Sequence, residues 1–570
     1  MKKLLLILTK KERIFFVFLV VGMFLTMIFE LLGLSLVIPL AYGLTQENIF
    51  EKFSFLENIQ QLLNYPDIET IIFLSLVLFL LVYVFKNIYL VFFYWYEGKF
   101  ISISRQNVSS RVYKNFLYKD YSFHINENSA NIITRVKTDI LMYSHSLEAL
   151  STFISELIIF LGLSIFLFII QSSGIFMISI FIVFFLTIFY LFFYKKIKQM
   201  GAERNKIELY MSKKLQEGIG GIKEIKSYGM EDFFSNKYSI FSSRLAKASY
   251  LFNVIIKTPR LYFETVALAG IVLFCYYLLT INTELKVVLA TLGIVIAASL
   301  RLIPSANRFL NSYNVIKYGL PSINSIYNES KINNHITSEN NRDLKIEFKK
   351  SIKFTNISFK YPTRDNFVLK DVNLEILKGE KVAITGISGS GKSTLLDIIM
   401  GFHFPKSGKI FVDDNEISLN SRMWKKFIGY VPQSIYLFDD TILENIALGT
   451  DKKNLDKDYL KQCIEIAELP NLINSLPEKI YSTVGEGGVK VSVGQKQRIG
   501  IARALFKKPS ILILDEATNA LDKDIEIKLV NNLTNKLKNI TIIIITHKLD
   551  LIKNFDKIIK IENSKIKLIQ

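Results

Sequence analysis

The sequence predicts an α-helical membrane half followed by a soluble α/β half. Apolar runs long enough to cross a bilayer recur up to about residue 310, and none follows after about residue 340. A glycine-rich loop, GISGSGKST at 386–394, sits between an apolar strand and a helix pattern in the second half. The chain has 570 residues, half of them hydrophobic, and is too long for one ordinary domain.

A bilayer-crossing helix needs roughly 20 apolar residues. Six stretches qualify: Ile14–Leu44, Ile71–Tyr96, Ala149–Ile170, Gly174–Tyr194, Leu261–Thr280 and Val287–Leu310. The first is no cleavable signal peptide, because its apolar run far exceeds a signal core and no small-residue cleavage pattern follows. The formal net charge is +19. Lys2, Lys3, Lys10, Lys11 and Arg13 precede the first span, and Lys195, Lys196 and Lys198 follow the fourth. By the positive-inside rule the N-terminus is cytoplasmic, and an even number of spans returns the second half to the cytoplasm. Bases beside spans are explained by topology and anionic headgroups, so no nucleic-acid partner is expected. Only two cysteines occur, Cys275 and Cys463, which excludes a disulfide framework and a cysteine metal cluster.

The polar segments between the second and third spans, and between the fourth and fifth, read as long helices projecting into the cytoplasm. At 47–63, Ile49, Phe53, Leu56, Ile59 and Leu63 share one helical face, suited to the membrane surface or to packing on the bundle. The polar stretch 328–345 reads as a linker between a membrane domain (1–327) and a soluble domain (346–570).

In the soluble half, KVAITGISGSGKSTLLDIIMG runs as strand, loop and helix. Gly386, Gly389 and Gly391 let backbone N–H groups close around phosphate, with Ser388, Ser390 and Thr394 completing the loop. Lys392 would reach the β and γ phosphates of ATP, and Ser393 would supply a Mg2+ ligand. In ILILDEATNALD (511–522), a buried-strand run ends in two acids. Asp515 would hold the magnesium, and Glu516 would polarise a water against the γ phosphate. Tyr361 is placed to stack on adenine, Gln433 to sense magnesium and the attacking water, and His547 to contact the γ phosphate.

Together these motifs make the chain resemble the ATP-binding cassette family, and within it the exporter half-transporters of six spans followed by one cassette. The resemblance covers essentially the whole chain and implies a type I exporter fold acting as a homodimeric, ATP-hydrolysing translocase. It also implies that Ser492, Gly494 and Gln495 meet the γ phosphate held by the other cassette, with Asp522 at the dimer seam. The family's leucine-serine-glycine-glycine-glutamine stands here as Val491, Ser492, Val493, Gly494 and Gln495. If the family's first glycine needs a positive φ, Val493 is strained there. With Glu516, Gln433 and His547 retained, Val493 reads as a tolerated departure that slows hydrolysis. STVGEGG (482–488) resembles the exporter loop near the cytoplasmic helices, and the stretches 121–140 and 217–234 resemble the coupling loops.

In the spans, Arg301 and Arg308 lie two helical turns apart, Arg260 begins the fifth span, and Lys86 lies in the second. Intramembrane bases face a partner or a cavity. Pairing with Glu264, Glu30 and Glu156 is one expectation, and an anion-binding cavity is the favoured one, because Arg suits phosphate. LRLIPSANRFLNSYN (300–314) is similar to bacterial flippases of lipid-linked oligosaccharides, which implies an undecaprenyl-pyrophosphate glycan as substrate at the inner membrane. A lipopolysaccharide precursor, another lipid, a peptide, or an ATP-gated channel or sensor are the alternatives.

Overall fold

A computed structural model of the protein describes residues 1–43, 68–170, 172–280, 285–331, 347–362, 364–416 and 422–570. The expected surface helix at 47–63, and 332–345 of the expected linker, lie outside the described residues. The chain divides into two compact units, one of Met1–Lys119 and His124–Ile336, the other of Asp120–Phe123 and Thr337–Gln570.

The first unit is helical. A short α1 (Lys2–Ile7), with Leu4 and Ile7 buried, turns at Leu8 into α2 (Lys10–Gly43). Then follow α3 (Ile68–Tyr118), α4 (Tyr121–Asn126), whose first three residues are assigned to the second unit, α5 (Ser129–Thr134), a π-helical turn (Arg135–Asp139) and α6 (Ile140–Ile170). After them come α7 (Ser172–Gly220), α8 (Ile222–Tyr228), α9 (Glu231–Thr280), α10 (Leu285–Tyr318) and α11 (Leu320–Lys331). The six predicted spans fall on α2, α3, α6, α7, α9 and α10. Among the described residues, Lys10–Gly33, Leu76–Tyr118 and Ser129–Phe166 are long and apolar enough to cross a membrane.

Helix α3 has 51 residues. At 1.5 Å per residue it is about 75 Å long, more than twice the roughly 30 Å hydrocarbon core. The polar segments that the sequence marks as cytoplasmic helices are therefore continuations of the spans. Helix α8 stops at Gly229, whose φ of 61° takes the left-handed conformation that glycine adopts without steric cost.

Helix α10 packs most extensively on α6, α9 on α7, and α2 on both α3 and α6. Ile159, Leu163, Phe189, Phe263, Leu302 and Leu310 form one buried cluster between these helices. Away from such clusters, large apolar side chains such as Val91, Phe92, Phe192 and Val272 are exposed, as a hydrocarbon-facing surface requires. Pro304 lies inside α10. It removes one backbone donor, so the carbonyl four residues earlier loses its usual i→i−4 partner.

The second unit carries two sheets. β1 (Ser351–Phe359), β2 (Leu369–Leu377), β4 (Ser407–Val412) and β5 (Asn415–Glu416) form an antiparallel sheet in the order β2-β1-β4-β5. The larger sheet has the order β10-β9-β3-β8-β7-β6, from β3 (Lys381–Gly386), β6 (Ile428–Val431), β7 (Ile511–Asp515), β8 (Thr541–Ile545), β9 (Lys557–Glu562) and β10 (Lys565–Leu568). Its strands β9, β3, β8, β7 and β6 are parallel. Every residue of β7 and β8 is buried, which is why both read as continuous apolar runs rather than alternating ones. Helix α12 (Lys392–Ile399) follows β3, α13 (Arg422–Lys426) precedes β6, and α14 (Ile442–Ile446), α15 (Lys457–Ile466), α16 (Pro470–Ser475) and α17 (Val493–Phe506) stand between β6 and β7. Helix α18 (Lys523–Lys536) joins β7 to β8.

Candidate functional site

Strand order assembles the site. Because β3, β8, β7 and β6 are neighbours and parallel, their carboxyl ends lie along one edge, where open α/β sheets bind ligands. The loop before Lys392 leaves β3, His547 follows β8, Asp515 and Glu516 end β7, and Gln433 follows β6.

Loop geometry explains the glycines. Gly386, Gly389 and Gly391 have φ of 148°, 77° and 104°. A Cβ on Gly386 would lie 2.7 Å from the Ile561 carbonyl oxygen. Lys392 is buried, and its Nζ donates to the Gly386 and Ile387 carbonyl oxygens at 2.9 Å each. The buried Ser390 Oγ has no hydrogen-bond partner among the described residues. A curled loop with an inward ammonium and an unsatisfied hydroxyl is a cradle for an anion.

At the end of β7, Asp515 is buried and Ser393 hydrogen-bonds its carboxylate. Burial first, and then the Glu516 carboxylate, hold the Asp515 carboxyl above the usual range. A cation at this pair would relieve both, so Ser393 and Asp515 fit a hard divalent ion with oxygen ligands.

Glu516 itself has a φ of 50°, uncommon for a residue with a side chain. Three groups converge on its carboxylate: Gln433 Nε2 donates to Oε2 at 3.0 Å, Asn519 Nδ2 donates to Oε2 at 3.1 Å, and His547 Nε2 lies 3.3 Å from Oε1. Gln433, Glu516 and His547, named separately from the sequence, are thus one contiguous cluster. Asn519 was not anticipated, although its place one helical turn after Glu516 is the signal that would have found it.

Tyr361 lies at the end of β1. Its hydroxyl is 3.1 Å from Thr394 Oγ1, and its ring stands edge-on to Phe359 and His403, with centroids 5.1 and 5.3 Å away. The ring is thereby fixed beside the loop helix, and the stacking role expected for it remains a proposal.

Helix α17 answers the question that Val493 raises. Ser492 is the N-cap: its Oγ accepts from the Gln495 backbone N–H at 3.2 Å, and Gln495 Oε1 accepts from the Ser492 N–H at 2.9 Å. This reciprocal capping box is intact. Val493 is the first helical residue, lies outside the positive-φ set, and is 62% exposed. The condition under which valine would be strained is therefore not met, because the position is helical. The glycine that matters sterically is Gly494, where a Cβ would come within 2.8 Å of the Ala520 carbonyl oxygen. On the same loop, the Ala520 N–H donates to the buried Gln497 Oε1 at 3.3 Å. Asp522 is the N-cap of α18 and makes no side-chain capping bond. Val491 packs against the core cluster beneath.

In the first unit, all four bases proposed for substrate have a carboxylate partner. Lys86 Nζ lies 2.9 Å from Glu30 Oε1, the atom that Arg301 also pairs with. Arg308 Nε pairs with Glu156 Oε1, and Ser305 Oγ donates to Glu156 Oε2 at 2.7 Å. Arg260 Nε pairs with Glu264 Oε1 at 2.8 Å in an exposed contact. Pairing, the less favoured of the two sequence expectations, is the arrangement seen in each case. The favoured cavity arrangement, in which these side chains stand free to meet an anion, is not what the structure shows, because a carboxylate lies within reach of each base.

Residues 14–302, half of the chain, match the family described as ABC transporter transmembrane region, and residues 369–519 match the family described as ABC transporter. YgaD of Bacillus subtilis (strain 168), named for multidrug export, is 32% identical over 65% of this chain and 64% of its own length. The alpha-hemolysin translocation ATP-binding protein HlyB of Escherichia coli O157:H7 is 39% identical over 41% of this chain and 33% of its own. The chain thus spans less than two thirds of either relative. In fold it is similar to a bacterial Atm1-family ABC exporter solved with ATP bound, with a TM-score of 0.78 and 21% identity, covering 97% of this chain and 94% of that one. With half its length matching the transmembrane region and a phosphate loop and signature helix in the remainder, the chain belongs to the ABC transporter family.

Proposed function

We propose that the protein is an ATP-driven exporter working as a homodimer in a bacterial inner membrane, which flips an undecaprenyl-pyrophosphate-linked oligosaccharide from the cytoplasmic to the outer leaflet. The observation that carries the ATPase part is the convergence of Gln433, Asn519 and His547 on Glu516, at the sheet edge that also bears Lys392. Lys392 and the loop from Gly386 to Thr394 bind the phosphates. Ser393 and Asp515, with Gln433 nearby, would hold Mg2+, which would supply charge neutralisation at the phosphates. Glu516 orients a water and takes its proton as the water oxygen bonds to the γ phosphorus and the bridging bond to ADP breaks. Ser492, Gly494 and Gln495 at the start of α17 act on the nucleotide of the other cassette, with Asp522 at the seam.

The lipid-pyrophosphate part rests on the four bases Lys86, Arg260, Arg301 and Arg308. Glu30 serves both Lys86 and Arg301, which leaves that cluster with an excess positive charge for an anionic substrate to neutralise. A second reading, export of a different substrate, is favoured by the carboxylates already on these bases and by relatives named for multidrug export and hemolysin translocation.

The experiment is ATP-dependent translocation of a labelled undecaprenyl-pyrophosphate glycan in reconstituted vesicles, with Glu516→Gln as the inactive control. Movement by the unsubstituted protein alone supports the flippase. Normal ATP hydrolysis without glycan movement sinks the glycan and moves the second reading to the front.

A further inference from the structure

The membrane half contains a cavity of about 450 Å³ between α6, α7 and α10. Phe153, Leu157, Phe160, Tyr190, Phe309 and Tyr313 make most of its wall. The wall is braced: Phe153 stacks on Phe309 with centroids 4.3 Å apart, and Tyr190 meets Tyr313 edge-on at 5.4 Å. Interlocked rings of this kind keep a preformed hollow open, as sites for apolar ligands require.

A charged cluster adjoins the hollow. Glu156 lies three residues after Phe153 and four before Phe160, on the same face of α6, and Arg308 precedes Phe309 on α10. Both Glu156 oxygens are engaged, one by Arg308 Nε and the other by Ser305 Oγ. The Arg308 side chain is 44% exposed, and among the described residues its two terminal NH2 groups have no acceptor. An apolar hollow beside a guanidinium with donors to spare matches an amphiphile whose charged end is anionic. Planar paired N–H donors suit phosphate oxygens, and a neutral apolar compound would make no use of them.

We propose that this hollow seats the hydrocarbon chain of the transported lipid next to its phosphate, with Arg308 at the headgroup end. The assignment rests on the lipid-phosphate reading given above and adds a tail site to it. The hollow would hold the chain segment nearest the headgroup, so that head and tail enter the transport cycle together.

The test uses the full-length protein in phosphatidylcholine nanodiscs and a photoactivatable polyprenyl diphosphate whose diazirine sits on the first isoprene unit. The labelled peptides are then mapped. Labelling concentrated in 153–161 and 306–313, competed by unlabelled polyprenyl diphosphate and at least tenfold weaker with the corresponding polyprenol, is the expected result. Leu157→Trp, which fills the hollow, should lower that labelling more than tenfold, and mapping on the unsubstituted protein stands even if this variant folds poorly. Labelling as strong at exposed Leu191 and Val272, or equal labelling by a phosphatidylcholine carrying the same diazirine, overturns the proposal. Failure of glycan translocation with pocket labelling intact would remove the glycan and keep the tail site. Translocation with labelling elsewhere would keep the flippase and remove the tail site.

Discussion

The cassette and the membrane half both concentrate charge, but they handle it in opposite ways. Along the sheet edge, Lys392 donates to backbone carbonyl oxygens, Ser390 Oγ has no partner among the described residues, and the Gln433 and Asn519 amides and the His547 ring surround the Glu516 carboxylate. In the helices, Lys86, Arg301, Arg308 and Arg260 each have an acid. In the cassette, backbone carbonyls and side-chain amides stand in for counter-ions until a ligand arrives, whereas in a bilayer each cation keeps an acid. A substrate that uses the membrane bases must therefore share or displace a carboxylate, and ATP at the cassette need not.

The largest effect that sharpens this contrast is expected at Glu516. Glu516→Gln keeps the hydrogen-bonding shape and removes the base, so ATP turnover should fall by roughly 100-fold or more while nucleotide binding persists. Steady-state phosphate release alongside equilibrium ATP binding separates the two. In the membrane half, Glu30→Gln strips the buried Lys86 and the partly exposed Arg301 of their shared acid. The expected loss is about 3–5 kcal/mol, read as a drop in thermal stability in nanodiscs. A wild-type melting temperature in that variant would mean that solvent or lipid already neutralises the pair.

Next come the two signature positions. Gly494→Ala pushes a methyl against the Ala520 carbonyl and should cost about 1–3 kcal/mol with impaired ATP turnover. Val493→Gly, on an exposed helical residue, should lower stability by no more than about 1 kcal/mol. Equal losses in the two variants would show that the helix start is not shaped as described.

A smaller effect is expected with pH. Burial, and then Asp515, push the Asp397 carboxyl from its ordinary 3.8 up to about 6. The folded protein therefore holds a proton that the unfolded chain releases between those values, so this carboxyl's contribution to stability falls as pH rises from about 4 to about 6 and is level above. Asp397→Asn should flatten that slope in thermal melts, with Asp515, also raised, supplying the remainder. Arg260→Ala should change least, since its pair with Glu264 is exposed, and a large loss of stability there would break the contrast.

Much of this was legible in the sequence because the relevant signals are local. Hydrophobic run length marked the six long helices, and the glycine-lysine-serine loop and the paired acids marked the sheet edge. Partners distant in the chain were harder to read. Glu30, Glu156 and Glu264 could be named as candidate acids, but helical periodicity cannot say that Glu30 on α2 would meet both Lys86 on α3 and Arg301 on α10. The condition left open at Val493 was unreadable for a related reason: whether a glycine position needs a positive φ depends on where the helix starts, and that is set by the Ser492 cap.

The close approach of Gly494 to Ala520, with the hydrogen bond to Gln497 beside it, has a mechanical meaning. It fastens the first turn of α17 to the segment that begins at Glu516 and ends at Asp522, with no room for slip between them. A tilt of that helix must drag this segment along, and with it the strained residue that carries the carboxylate. In the proposed dimer, the patch that would feel the neighbouring cassette's nucleotide is thus packed directly on the segment that carries this cassette's own acid.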